Sequence, residues 1–325
     1  MQTRLPILLL GLYICVHTLG HGQCCSPGTP VNNDAYSVDT NQRMVQLDFR
    51  YSFGYSHKYF DGLKESTTKF IDNGNFNFIG FDLRLNLTNR IRFNIGTGYF
   101  VNKTQNYVQG ILPKKQVGNG ISDINTSLLF KLKRIKNKVG IEIYSGIGIK
   151  IPIGSYKTTY EGAILPFDLQ PTTGAFDVIH KVIAINYLKS RKSKFIFDNR
   201  FDFKGMNKDL YRYGVYDKLS ISYVRTLKNK MFLLGGIFYE YRARDTQPNT
   251  GFGIPFKNNR EHVITSGSHK IYLNGSYGIN LKTNLSMWLF ASVPVFQYYN
   301  GKQLGNSILV NFTIRKNFLL KKKLN

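Results

Sequence analysis

Acidic and basic side chains recur two residues apart in this chain, and this spacing determines what chemistry they could do. Asp48 precedes Arg50 in this way, and Asp82 precedes Arg84. Successive side chains of a β-strand point to opposite faces, so residues two apart are neighbours on one face. Such rows could form a structural ladder of ion pairs or line a conduit. Further charges in the same setting are Glu142, Asp198, Arg200, Asp202, Glu240 and Arg242.

The elements that carry these charges have the period of a strand. The segment GIEIYSGIGIKIPIG at 140–154 places isoleucine at every second position. Between the isoleucines lie Glu142, Tyr144, Gly146, Gly148 and Lys150. Strict alternation predicts a strand with one apolar and one polar face.

The alternation recurs in about twelve segments, mostly longer than the five or six residues of an average strand. About 9–11 tilted residues cross a bilayer core, so these segments are long enough to do so. The predicted strands are 43–55, 75–88, 90–101, 121–134, 138–153, 174–189, 193–204, 213–227, 230–242, 268–282, 285–298 and 306–318.

Short and long connections alternate between these segments, as they do in outer-membrane barrels with short periplasmic turns and long extracellular loops. A sheet in lipid must close on itself, because lipid cannot satisfy backbone hydrogen-bonding groups at an edge. We therefore predict an all-β protein, a transmembrane antiparallel β-barrel of about 12 strands over 43–318. A soluble β-sandwich is the alternative. In so small a barrel we favour structural packing of the interior charges over a wide conduit.

Composition narrows the class of protein. The chain has 325 residues, is 42% hydrophobic and carries a formal net charge of +25. It contains no run of 18 apolar residues typical of a membrane-spanning helix. Much of the positive charge falls in predicted short turns, where it favours water or anionic lipid headgroups over nucleic acid.

The two ends of the chain predict export and membrane insertion. Residues 1–22 have the pattern of a cleaved secretory signal peptide, and 23–42 would form a periplasmic segment. Cys24 and Cys25 offer no disulfide framework or metal site. The last strand ends at Phe318, which resembles the signal read by barrel-insertion machinery, and a basic tail follows at 319–325.

An outer-membrane lipase is a further alternative, because such an enzyme needs a serine nucleophile beside a histidine base. Ser266, Ser268 and His269 lie close in sequence, but the His-x-Ser spacing of those lipases does not occur. Clustered metal ligands and a phosphate-binding glycine loop are also missing from the sequence. We therefore predict no enzyme activity, cofactor or metal. The histidines beyond the signal peptide are His57, His180, His262 and His269.

Three motifs lie in the middle of the chain: GNGISDINTSLLFKL (118–132), GIGIKIPIGSY (146–156) and LQPTTGAFD (169–177). In this order they resemble the outer-membrane family named for the meta-pathway of phenol degradation, which is related to channels for hydrophobic compounds. The resemblance implies passage of small hydrophobic or aromatic molecules across the outer membrane of a Gram-negative bacterium.

The connection at 160–174 has an apolar centre that could fold inward as a gate, or could pack at the barrel rim. The candidates for a solute path are therefore Tyr144, Lys150, Ile164, Leu165, Phe167 and Asp177. We predict a passive channel with outer-membrane lipid and a small hydrophobic solute as partners. A structural or adhesive barrel without solute flux is the alternative. The oligomeric state stays open.

Overall fold

The computed structural model describes residues 43–108, 110, 114–136, 140–188, 192–227, 230–249 and 260–320. Its main element is one antiparallel sheet of twelve long strands, which confirms the predicted number and places. They are β1 (Met44–Ser56), β2 (Ile71–Asn86), β3 (Ile91–Tyr107), β4 (Ile124–Lys136), β5 (Gly140–Ile151), β6 (Asp177–Tyr187), β7 (Ser193–Phe203), β8 (Tyr216–Thr226), β9 (Met231–Arg242), β10 (Ser268–Lys282), β11 (Leu285–Gly305) and β12 (Ile308–Leu319).

The sheet closes into a barrel because its first and last strands pair. The pairing of β1 with β12 runs from Met44 opposite Leu319 to Tyr55 opposite Ile308. All remaining pairings between long strands join strands that follow one another in sequence. None of the described helices is long and apolar enough to cross a membrane.

The barrel has a turn end and a loop end. Short connections at 87–90, 137–139, 188–192, 227–230 and 283–284 define the turn end. The loop end carries the long connections and several short strands: Lys58–Gly62, Lys64–Glu65, Lys115–Ile121, Thr159–Tyr160, Ala163–Ile164, Thr246–Pro248 and Arg260–His262.

The outer wall is apolar, as the alternation predicts. In β5, Ile147 and Ile149 are exposed on the outside, whereas Glu142, Tyr144 and Lys150 are buried inside. Gly146 and Gly148 lie on the inner face, where an added Cβ would collide with backbone atoms of β4. The apolar wall suits lipid, and the closed ladder leaves no unpaired sheet edge.

Two predicted connections begin later than expected, because β3 continues to Tyr107 and β11 to Gly305. Residues 299–305, expected to be a loop, continue β11 and pair with Lys58–Gly62. Gly301 takes a positive φ of 72° within an irregular step of the strand. The ring of Phe60 stacks on Tyr299 and supports this extension beyond the barrel.

The lumen contains two apolar clusters at different heights. Nearer the loop end, aromatic side chains of β2, β3, β9, β10 and β11 pack together with Leu309. Nearer the turn end, β4 to β9 contribute Leu129, Tyr144, Ile183, Ile185, Ile196, Val224 and Leu234. The interior is therefore packed by side chains over much of its section.

Candidate functional site

A cavity of about 280 Å³ lies in the loop half of the lumen. Its walls combine aromatic rings with ionisable groups on the inner faces of the strands and on three connections. The aromatic members are Phe78, Phe100, Phe167, Tyr213 and Tyr216. The basic members are Arg50, Lys103, Lys150, Arg200, Lys204, Lys218 and Arg242, and the acidic ones are Asp82, Asp123, Asp168 and Asp202.

One side of the cavity is formed by residues 165–174 of the connection between β5 and β6, which we call the inward segment. Its Leu165 and Leu169 are buried, as are Asp168, Gln170 and Thr172. A short 3₁₀ helix at Phe167–Leu169 turns the chain so that Phe167 lines the cavity. The inward segment thus forms part of the cavity wall.

Polar contacts attach the inward segment to the barrel. The Lys103 Nζ atom of β3 donates to the Gln170 carbonyl at 2.9 Å. Thr172 hydrogen-bonds Asp123, and Lys150 hydrogen-bonds Thr173. These contacts join the segment to strands distant in sequence, so the closed barrel is needed to bring the partners together.

Glycine allows the inward segment to approach the barrel closely. A Cβ atom added to Gly118 would lie 2.1 Å from the Leu169 carbonyl oxygen. A Cβ at Gly154 would lie 2.0 Å from the Ile121 carbonyl oxygen and 3.3 Å from the Thr172 Cγ2 atom of the inward segment. The distances to the two carbonyl oxygens are far inside van der Waals contact, so any larger residue must displace backbone.

Phe167 is held by two tyrosines of the connection between β7 and β8. Its ring stacks on Tyr211 with centroids 4.0 Å apart, and the Tyr213 hydroxyl donates to the Phe167 carbonyl at 3.2 Å. Burial and the nearby Asp245 carboxylate raise the pKa of the Tyr211 phenol. The phenol therefore stays protonated and donates to Asp245 at 2.6 Å.

Ion pairs cross the loop half between neighbouring strands. Lys150 bonds Asp123 at 3.0 Å and Asp177 at 2.7 Å. Lys204 bonds both Asp177 and Asp202 at 3.0 Å. Asp202 also receives two hydrogen bonds from Arg200, at 2.7 and 2.9 Å. These pairs neutralise the buried carboxylates. Burying one carboxylate without a partner would cost on the order of several kcal/mol.

The lumen narrows towards the turn end. A void of only about 20 Å³ lies there, and it shares Asp82, Gly96, Asn125 and Arg200 with the lining of the larger cavity. On one side of the turn half, Arg315 makes a bidentate pair with Asp48, at 2.9 and 2.8 Å. The apolar cluster that includes Ile183 occupies the other side.

The six predicted path residues lie in different places. Only Lys150 and Phe167 line the cavity. Asp177 lies behind its wall and bonds Lys150. Leu165 packs beside Gly118, and Tyr144 belongs to the apolar cluster of the turn half.

The prediction for Ile164 needs correction. Ile164 is 64% exposed in the small hairpin Thr159–Tyr160 and Ala163–Ile164, outside the cavity. The apolar run did fold inward, but only from Leu165 onwards, because the hairpin turns its first part towards the surface. Both expectations for this connection therefore hold in part: the segment lines the lumen and also packs against neighbours.

All ten predicted interior charges occupy inward-facing positions of their strands. Five of them line the cavity: Arg50, Asp82, Arg200, Asp202 and Arg242. Asp48 and Arg84 line the small void beneath it, with Asp48 paired to Arg315. Glu142 bonds Lys131 and Glu240 bonds Lys270. Asp198 is half-buried on β7.

Sequence reasoning missed several members of the site. Lys103 lies in a stretch that was expected to be a loop but forms the end of β3. A bulge in the pairing of β2 and β3 shifts the alternation there and turns Lys103 inward. Asp168 lies in a connection, where no periodic pattern indicates which way a side chain points. Tyr213 begins the predicted strand 213–227, but β8 starts only at Tyr216.

The three motifs meet in space at the inward segment. Gly118 and Asp123 come from the first motif, Lys150 and Gly154 from the second, and Leu169 to Asp177 from the third. The contacts given above join all three. The motifs thus encode the docking of the inward segment against the barrel.

Ser268 and His269, which are adjacent in sequence, lie on opposite faces of β10. Ser268 is buried on the inner face of β10, whereas the His269 ring lies outside and contacts the Tyr239 hydroxyl at 2.7 Å. A different pair meets on the outer wall, where Ser145 Oγ lies 3.3 Å from His180 Nε2. Within the described chain, His180 makes no second hydrogen bond that would orient it as a base.

Some predictions fall outside the described residues: the signal peptide 1–22, the segment 23–42 with Cys24 and Cys25, and the tail from residue 321. The basic turns are described only in part. Phe318 is on the outer face at the end of β12, opposite Val45. Among the described residues, histidine, cysteine and carboxylate groups form no cluster that could hold a metal ion.

Comparison with known proteins shows the fold. No family model matches the sequence, and no curated protein matches it. An outer membrane channel from Pseudomonas putida F1 superimposes with a TM-score of 0.63 at 10% sequence identity, over 89% of this chain and 100% of that chain. At this identity the likeness concerns the fold alone. The resemblance to the phenol meta-pathway family therefore stays a prediction.

Two other matches are more distant. A FadL homologue from Pseudomonas aeruginosa gives a TM-score of 0.34 at 10% identity, over 91% of this chain and 97% of that chain. The CymD monoaromatic hydrocarbon channel gives 0.39 at 9% identity, over 91% of this chain and 98% of that chain. Both TM-scores are too low to support an argument.

Proposed function

We propose that this chain is a channel of the outer membrane, exported and inserted as a barrel, through which small solutes with hydrophobic or aromatic parts pass passively. The loop end would face the exterior and the turn end the periplasm. One observation carries the proposal: the loop half of the lumen holds a cavity of about 280 Å³ with five aromatic rings in its wall. A cavity of about 150 Å³ suffices for benzene in an apolar core.

We infer further that the inward segment gates this cavity. Its contacts to the barrel are side-chain hydrogen bonds and ring contacts and not strand pairing, so it can shift without breaking the strand ladder. Strand pairing is independent of it, because β5 and β6 pair directly from Gly140 opposite Tyr187 to Lys150 opposite Asp177. A solute entering from the loop end would meet Phe167 and its tyrosine neighbours first.

The test measures solute uptake into proteoliposomes that contain the full chain. Labelled nicotinamide is a suitable probe, because it is small, aromatic, neutral and slow to cross lipid. The variants are Gly118→Ala, which pushes the Leu169 carbonyl away, and a deletion of residues 162–170. Gly235→Ala is the matched control, since an added Cβ there meets no atom within 4 Å.

We expect uptake by the wild type above that of empty liposomes, faster uptake by both gate variants, and no change for Gly235→Ala. Equal uptake by all variants would keep the channel and refute the gate. If the heat-dependent shift in gel mobility shows that the barrel is folded and no uptake is seen, the channel would be overturned and a structural or adhesive barrel favoured.

A further inference from the structure

Cations and aromatic rings are paired around the cavity. Arg50 lies 5.8 Å from the centre of the Phe78 ring, and Lys103 lies 5.0 Å from that of Phe100. On the opposite side, Lys204 lies 5.8 Å from the Tyr216 ring. A fourth pair joins Arg242 to Tyr213 at 5.3 Å. Four of the five rings in the wall thus have a positive charge beside them.

The charge balance of the wall is positive. Seven basic and four acidic side chains line the cavity, an excess of three positive charges. Behind the wall, Asp177, Asp245 and Glu240 each bond a cation, and Lys270 is the partner of Glu240. With these four included, an excess of one positive charge remains. The basic groups therefore face the cavity while several carboxylates stand behind them.

Lys103 differs from five other cations of the wall, each of which bonds a carboxylate: Arg50, Lys150, Arg200, Lys204 and Arg242. Its Nζ atom donates to a neutral group, the Gln170 carbonyl, and lies over the Phe100 ring. The carboxylates of Asp123 and Asp168 act on it only electrostatically. A charged oxygen is a stronger acceptor than a carbonyl, so an anion can replace Gln170 at this ammonium group.

From this geometry we infer that the cavity binds small aromatic carboxylates. The ring of such a ligand would pack against Phe78 and Phe100, and its carboxylate would meet Lys103. A neutral hydrocarbon would leave the Lys103 ammonium group on the neutral Gln170 carbonyl, and an aromatic cation would be repelled. Because the carboxylate replaces the Gln170 carbonyl, its binding would also release one contact of the inward segment. This inference rests on the proposed channel and adds its substrate class.

The test uses three probes that share one ring and differ in charge. Nicotinate carries a negative charge at pH 7, nicotinamide is neutral, and 1-methylnicotinamide carries a positive charge. Uptake of each into proteoliposomes of zwitterionic lipid is measured with the full chain. The reversal potential in planar bilayers under a potassium chloride gradient gives the ion selectivity independently.

For the wild type we expect chloride selectivity and about tenfold faster uptake of nicotinate than of 1-methylnicotinamide, in the range that charged clefts produce by raising the local concentration of a solute. Lys103→Met keeps an unbranched side chain one atom shorter, removes its charge and should abolish most of that preference. Asp168→Asn removes a carboxylate from the wall and should increase it. The control is Lys157→Met, because Lys157 is exposed and bonds Asp209 outside the cavity.

The outcomes separate the two proposals. Uptake of all three probes at similar rates, or cation selectivity, would overturn the inference and leave the channel intact. No current and no uptake of any probe, with the barrel folded, would overturn the channel itself. If Lys103→Met fails to fold, Asp168→Asn still tests the inference, because this variant should increase the preference for nicotinate over 1-methylnicotinamide.

Discussion

The two halves of the lumen follow the same alternating pattern but have different interiors. In the loop half, Gly98 makes room for the Phe78 ring and Gly96 for the Asp82 carboxylate, and both side chains line a cavity of about 280 Å³. In the turn half, Ile183 and its neighbours fill one side and Arg315 with Asp48 fills the other. The residue types at inward positions therefore separate a half that can hold a solute from a half that restricts it.

The largest expected effect concerns the ion pair of the turn half. Arg315→Met leaves Asp48 buried with only Gln46 as its hydrogen-bond partner, at 2.9 and 3.0 Å. Removing one partner of a buried pair costs about 3–5 kcal/mol. We expect a large drop in the unfolding temperature of the barrel, measured as the temperature at which its gel mobility changes from that of the folded to that of the unfolded protein.

The matched variant in the loop half is Arg200→Met. Its partner Asp202 keeps Lys204 at 3.0 Å, so we expect a smaller loss of stability. As a surface reference, Lys58→Met breaks an exposed pair with Glu65 and should cost about 0–1 kcal/mol. Equal losses for Arg315→Met and Arg200→Met would show that the two halves do not differ in this respect.

An intermediate effect is expected where the lumen is narrow. Ile183→Ala shortens a fully buried side chain of the turn half, at a cost of about 2–5 kcal/mol in stability. If solutes pass along the lumen, the space created should raise the single-channel conductance several-fold. Ile147→Ala, on the lipid-facing side of the wall, is the control. An unchanged conductance for Ile183→Ala would place the exit elsewhere.

The smallest effect is expected on the outer wall. Ser145→Ala removes the hydrogen bond to His180 without touching the lumen. We expect unchanged nicotinamide uptake and no release of fatty acid from phospholipid by either protein, because His180 lacks an orienting partner within the described chain. Fatty acid release by the wild type that disappears in Ser145→Ala would restore the lipase alternative.

Much of the barrel could be predicted from the sequence, because the alternation that identifies a strand is a local pattern of residues. The isoleucines of β5 alternate with Glu142, Tyr144 and Lys150, and this period assigns each side chain to lipid or lumen. The prediction failed where the period is interrupted. The bulge before Lys103 and the irregular step at Gly301 each continue a strand past the point where the pattern indicated a loop.

The site was predicted only in part. Lys150 and Phe167 line the cavity, whereas Tyr144 lies in the turn half and Ile164 points to the surface. Height along the barrel separates Tyr144 from Lys150, although both face inward on one strand. The alternating pattern indicates the face of a strand, but not which groups from other strands stand at the same height.

By itself the sequence determined the strands, their two faces and the inward position of the ten charges, since these follow from a period of two residues. Only the tertiary structure decided where the inward segment lies. Its partners Lys103 and Asp123 are 67 and 49 residues away from Gln170 and Thr172. Contacts over such separations depend on strand register and closure of the barrel, and no local pattern of residues encodes them.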